Sequence, residues 1–263
     1  MQDFATQYSI SQLLYFADSF ADYLHTDPVK YKKQDLADFQ TFDFVENKYS
    51  FGDIKKKLKG FEQNNTQDGI KIVVADLFVP IERNGYLDCL QNKYKFENQA
   101  MCMVPKLMDI CKNDASIVLE DGFQIGFWDV SEFVAINNFT SFEQTFTGRI
   151  ISSLEIENNF MEQEISGAYL IKHYNILSKI MGIGSKIYSW QKLFELKDNL
   201  AHFLLQRSAS LTATWIYGIW IYAQSPLKID IYGELICNKN YQKLIYNQLQ
   251  DFGIAREIEL IKV

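Results

Sequence analysis

Gly182-Ile183-Gly184-Ser185-Lys186 is the segment whose residue types come nearest to a phosphate cradle. A P-loop needs G-x-x-x-x-G-K-[ST], and here lysine follows Gly-Ser with no glycine five positions earlier. The dinucleotide fingerprint fails as well, because position 187 is Ile and the preceding segment reads as helix. The segment therefore reads as a helix stop and a turn. Metal chemistry needs several ligands at workable spacing, and His25, His173 and His202 stand alone, with no H-x-x-x-H and no zinc-like Cys or His spacing. Cys89, Cys102, Cys111 and Cys237 contain no C-x-x-C pair, and no G-x-S-x-G elbow is present. A Cys–His pair, Cys89 or Cys111 with His173 or His202, would have to meet in space, and the abundant carboxylates single out no pair. The residues thus predict no catalytic site, no metal and no cofactor. The alternative is a bacterial effector enzyme with an unrecognised Cys/His or carboxylate site.

Composition narrows the partners. Among 263 residues, 26 Lys and Arg face 33 Asp and Glu, a net charge of −7. Only Arg83, Arg149, Arg207 and Arg256 are arginine, so the guanidinium forks that read phosphate or guanine are scarce. No nucleic-acid partner is expected. The longest uncharged apolar run covers residues 211–223, short of the ~20 that a bilayer requires, so no direct membrane insertion is expected either. The absence of a leader at Met1-Gln2-Asp3-Phe4 points to the cytoplasm.

Aromatic residues are the compositional anomaly, at 15%. Phe42, Phe44, Tyr49 and Phe51 alternate with polar residues, as either an edge strand with one buried face or an aromatic docking loop. Trp215, Tyr217, Trp220 and Tyr222 sit among Ile216, Ile219 and Ile221, a helix apolar on nearly every side. Such a helix is buried in its own core or in a partner. Arg149, in an apolar helical stretch, suits a bidentate pair or a cap.

The elements that would position these residues follow from periodicity. Ser9 or Ser11 caps a helix with its apolar stripe at Ile10, Leu13, Leu14, Ala17, Phe20, Ala21 and Leu24, ended by Asp27-Pro28. Residues 70–79 read as a buried strand and 99–111 as a helix. Strands at 116–120 and 123–128 flank Asp121-Gly122, a type I′ hairpin signal. Helices are expected at 141–154, 161–181 and 193–205, and Ser208 or Ser210 caps a further one to Ala223. A half-buried strand from Leu227 to Cys237, a helix over 241–251 ended by Gly253, and a strand at 254–263 complete the chain. The expected class is α+β, of mixed helices and short antiparallel strands that could form two loosely similar halves. Their division falls at residues 1–112 and 113–263.

Residues 184–196, GSKIYSWQKLFEL, resemble a signature of TssG, a baseplate subunit of bacterial type VI secretion systems, which runs approximately G-x-R-V-W-D-R-Q-x-x-F-R-I. Pro28-Val29-Lys30-Tyr31-Lys32 is similar to the family's P-V-R-F-R, and Phe146-Thr147-Gly148-Arg149-Ile150-Ile151-Ser152 to its F-N-H-R-L-L-S. Leu77 and Pro80 hold their places in its F-F-G-L-x-G-P, although Asp76 and Val79 replace the glycines. The resemblance implies a divergent, short, non-catalytic subunit of a baseplate wedge that supports contractile sheath assembly. Its implied partners are TssF-like subunits, TssK-like adaptor trimers and other baseplate or spike components, in a baseplate docked to the inner membrane complex. Phe42, Phe44, Tyr49, Phe51, Arg149, Trp215 and Trp220 are the expected partner contacts.

Overall fold

The computed structural model describes residues 7–26, 29–32, 43–44, 71–75, 94–97, 113–119, 123–129, 132–136, 160–183 and 186–262. The strands are β1 (Val29–Lys32), β2 (Asp43–Phe44), β3 (Lys71–Ala75), β4 (Tyr94–Glu97), β5 (Ala115–Leu119), β6 (Phe123–Asp129), β7 (Glu132–Ile136), β8 (Leu227–Tyr232) and β9 (Ile258–Lys262). The helices are α1 (Ile10–Thr26), α2 (Phe160–Ile165), α3 (Gly167–Met181), α4 (Gln191–Glu195), α5 (Asn199–Ala223) and α6 (Lys239–Asp251).

Ser9 starts α1 through a capping box: its Oγ accepts from the Gln12 N–H at 3.3 Å, while its own N–H donates to Gln12 Oε1 at 2.9 Å. The expected stripe is the buried one, with Leu13, Phe16, Ala17, Phe20, Ala21 and Leu24 inside. α1 packs on α5, where Phe20 meets Trp215 edge-on at 4.5 Å between ring centroids. The close approach needs Gly218, because a Cβ there would lie 2.6 Å from Phe20 Cδ1 and 3.1 Å from the Ala17 carbonyl oxygen.

The main sheet has the order β1-β7-β6-β5-β8-β9. β1 through β5 pair antiparallel along this order, whereas β5, β8 and β9 run parallel. A second sheet, β2-β3-β4, is parallel throughout. The class is therefore α+β, and the expectation of antiparallel strands alone is corrected. Parallel β8 and β9 are possible because α6 provides the crossover that such a pair requires. β5 is buried along its length and β8 at Leu227, Ile229, Asp230 and Ile231.

Three further expectations change. The β5–β6 register pairs Leu119 with Phe123, leaving three residues between the strands rather than the two of a type I′ turn. The helix expected over 161–181 is broken at Ser166, whose φ of −74° and ψ of 155° are extended. The two helices expected over 193–205 and up to Ala223 are one, the 25-residue α5, capped by Asp198 Oδ1, which accepts from the Ala201 N–H at 2.7 Å. Ser208 and Ser210 lie inside it and cap nothing. Their hydroxyls instead donate to the Ile165 carbonyl at 2.6 Å and to Gln248 Oε1 at 2.8 Å. Polar residues are tolerated mid-helix there because each finds a partner. The expected helices at 99–111 and 141–154 lie outside the described residues.

Candidate functional site

In a sheet with parallel strands, ligands bind beyond the carboxyl ends of the strands, where the connections on two neighbours diverge. β5 and β8 are such neighbours. The chain leaves β5 for β6 on one side, and leaves β8 through α6 for β9 on the other. At the carboxyl end of β8, where that topology would open a crevice, the strand ends at Tyr232 and runs on into Gly233 and Glu234. Gly233 has φ of 105°, a conformation that a side chain would strain, and it turns the chain sharply off the strand. The Ile236 N–H then donates to the Leu119 carbonyl at 3.3 Å, tying this turn to the end of β5. Asn238 caps α6 by accepting from the N–H groups of Asn240 at 2.9 Å and Tyr241 at 3.3 Å.

A second wall comes from the segment before α4. Asn175 on α3 grips Ile187 with both amide atoms, donating to its carbonyl and accepting from its N–H, each at 2.8 Å. Ile187, Trp190 and Leu193 anchor the segment in the core. It meets the residues that follow β8 at Gln191, whose Nε2 donates to Glu234 Oε2 at 2.9 Å. Tyr188 is 80% exposed, with Lys186 Nζ 5.1 Å from its ring centroid. The segment 186–191 and the end of β8 thus carry a carboxylate and an amide bonded to each other, and an ammonium beside an exposed aromatic ring. Hydroxyl-rich ligands can donate to the carboxylate, and a planar or ring-shaped one can lie on the tyrosine.

Behind the crevice lies a buried polar cluster that fixes the helical layer. Arg207 Nε donates to Glu164 Oε2 at 2.8 Å, with the two side chains 0% and 4% exposed. The Tyr8 ring covers the guanidinium at 3.9 Å. Tyr241 is fully buried between Ser208 and Thr212, at 2.6 and 3.1 Å from their hydroxyls, and burial raises its phenol above the usual range. The Tyr174 phenol, donating to Asp198 Oδ2 at 2.7 Å, is pushed up to about 12 by burial first and by that carboxylate second. Deeper in the sheet, Asp230 accepts from Asn113 Nδ2 at 2.5 Å; burial raises its carboxyl, and the Asn113 bond opposes the shift.

Trp215 is fully buried and packs edge-on against Phe20. Trp220 stacks on Tyr217 and donates its indole N–H to Glu257 Oε2 at 2.9 Å. Tyr217, Trp220 and Tyr222 are half-buried. Phe44 falls on β2, its side chain outside the described residues, as are Phe42, Tyr49, Phe51 and Arg149 altogether. Gly233 and Glu234 were not singled out from the sequence; His173 was weighed there only as a partner for a cysteine, Arg207 only as one of four arginines and Gln191 only within the 184–196 resemblance. Gly233 did carry a signal, since it interrupts the alternation of Leu227 to Cys237 and stops the strand at Tyr232.

No family model matches the chain, and no curated protein matches its sequence. Solved structures do match. The hexokinase of Schistosoma mansoni complexed with glucose superposes with a TM-score of 0.61 at 10% identity, over 97% of this chain and 92% of that one. A ROK-family protein from Streptococcus pneumoniae TIGR4 in complex with sucrose gives a TM-score of 0.50 at 14% identity, over 83% of this chain and 84% of that one. The architecture is thus a hexokinase-like fold.

This fold overturns the baseplate reading, with its TssG membership, its TssF-like, TssK-like and spike partners, and its docking to an inner membrane complex. The expectation of a non-catalytic subunit falls with it, because the likeness is to a hexokinase. The residues that carried the resemblance have local explanations. Ile187 is buried in the core, Phe194 and Leu196 pack against it, and Gln191 donates to Glu234. Such spacing suits any buried turn before a helix, so ordered short patches did not define a fold. Among the described residues, no helix is long and apolar enough to cross a membrane.

Proposed function

We propose that this chain is a sugar kinase, transferring a phosphoryl group from a nucleoside triphosphate to a sugar hydroxyl. The observation that supports this reading most is the near-complete superposition on a hexokinase complexed with glucose. The second sugar-bound neighbour supports the same substrate class. Phosphoryl transfer asks a protein mainly to position its reactants and to place charge around them. In this reading the nucleotide enters the crevice at the ends of β5 and β8. Gly233 lets the backbone come close to it, Glu234 accepts hydroxyl protons from its ribose, and Gln191 holds that carboxylate in place. Tyr188 offers the exposed ring on which a base can stack.

Calorimetric titration tests the reading. Glucose and ATP should each bind, and Glu234→Ala should weaken ATP by about 10-fold, as for one lost hydrogen bond to a charged group, without changing glucose binding. Failure of the wild-type chain to bind glucose, a panel of other hexoses, and ATP would overturn it.

A further inference from the structure

We propose that the junction of α2 and α3 is an acid-released latch, in which protonation of His173 detaches α2 from the helices it packs against. α2 has six residues, too few to hold itself together, and the carbonyls of its last turn have no donors within the helix. Side chains from two other helices take their place. His173 Nε2 meets the Gln163 carbonyl at 2.7 Å, and the Ser208 hydroxyl donates to the Ile165 carbonyl at 2.6 Å. Arg207 meanwhile clamps the Glu164 side chain.

The bond to a carbonyl fixes the imidazole chemistry. Nε2 must carry the proton, so Nδ1 presents a lone pair, and Nδ1 is buried without a hydrogen-bond partner. A second proton would create a buried donor with no acceptor in a residue only 1% exposed. The charged groups facing the ring are Glu164 from α2, Arg207 from α5 and Lys172 from α3 itself, with the Tyr169 ring at 6.3 Å. Glu164 and the bond to the Gln163 carbonyl favour the added charge, whereas Arg207, which already pairs with that carboxylate, and Lys172 oppose it. Burial is the largest influence, and together these hold the closed imidazole below the usual histidine range. Once α2 opens, His173 recovers water and an ordinary affinity near pH 6.5. Protons therefore bind the open form in preference, and acid shifts the junction towards it.

Going from pH 7.5 to 5.5 should raise the open-to-closed ratio by up to about tenfold, the limit reached when only the open form binds the proton. Hydrogen exchange of the full chain, corrected for intrinsic rates, reads this in peptides covering residues 160–173. The wild type should show the rise there and His173→Gln, which cannot titrate, should not. An equal rise in both, or none in the wild type, would overturn the latch. Should the variant fail to fold, imidazole NMR of the wild type decides, since the chain has only 3 histidines. A His173 that stays neutral, with its proton on Nε2, well below pH 6.5 supports the latch; ordinary titration in the closed protein overturns it.

Discussion

Replacing Arg207 by methionine keeps an unbranched apolar stem and removes the charged guanidinium. The consequence turns on what is left behind. Glu164 is 4% exposed and 2.8 Å from Arg207 Nε, so the single variant strands a carboxylate in a site that water reaches poorly. Breaking one side of a buried pair costs about 3–5 kcal/mol, because the remaining charge is uncompensated. The Tyr8 ring, 3.9 Å from the guanidinium, loses a cation–π contact of about 0.5–2 kcal/mol as well. Arg207→Met should therefore lower stability by about 4–6 kcal/mol. Adding Glu164→Met removes the stranded charge, and the double variant should recover to within about 2 kcal/mol of wild type, as apolar replacements of buried pairs do. Urea unfolding of the four proteins closes the cycle, which should give a coupling energy of at least about 2 kcal/mol. If Arg207→Met costs under about 1 kcal/mol, the pair is as well hydrated as a surface one and the buried cluster does not organise the helices.

Gly218→Ala gains about 1 kcal/mol of helix propensity, yet its methyl would meet Phe20 at 2.6 Å and the Ala17 carbonyl oxygen at 3.1 Å. Since Trp215 packs on Phe20 and the carbonyl belongs to α1, overpacking should win, and thermal unfolding should show a net loss of about 1–2 kcal/mol. His173 is held below its unfolded value, so its contribution is fully present above about pH 6.5 and fades as pH falls through that value. Chemical denaturation at pH 7.5 and 5.5 should accordingly show wild type losing more than His173→Gln, by up to about 1.4 kcal/mol. Gly233→Val forces a β-branched residue to φ of 105°, at a cost of about 1–3 kcal/mol, and should weaken ATP binding more than glucose binding in the same preparation.

What the sequence disclosed divides along physical lines. The stripe of α1, the helix over α6 with Gly253 just past it, and the strand of β8 were legible because each is a periodic pattern with a local stop. α5 was not, since Ser208 and Ser210 look like cap residues until Tyr241, Gln248 and Ile165 come near to satisfy them. The break at Ser166 was equally hidden, because Ile165, Ala168 and Ile171 keep nearly helical spacing across it. The crevice depends on β5 and β8 lying side by side although 107 residues separate Leu119 from Leu227 in the chain, and no local pattern encodes that pairing. Gln191 and Glu234 meet for the same reason, 43 positions apart. Short motifs read in order led instead to a secretion subunit, since buried turns in unrelated folds share their apolar spacing.

Phosphorus NMR of the purified chain incubated with Mg-ATP and glucose, then with other hexoses in turn, bears most directly on the central claim. The account predicts a sugar phosphate resonance growing in step with ADP, and its loss in Gly233→Val. ATP that persists unchanged with every sugar, in a chain shown to be folded, would contradict it.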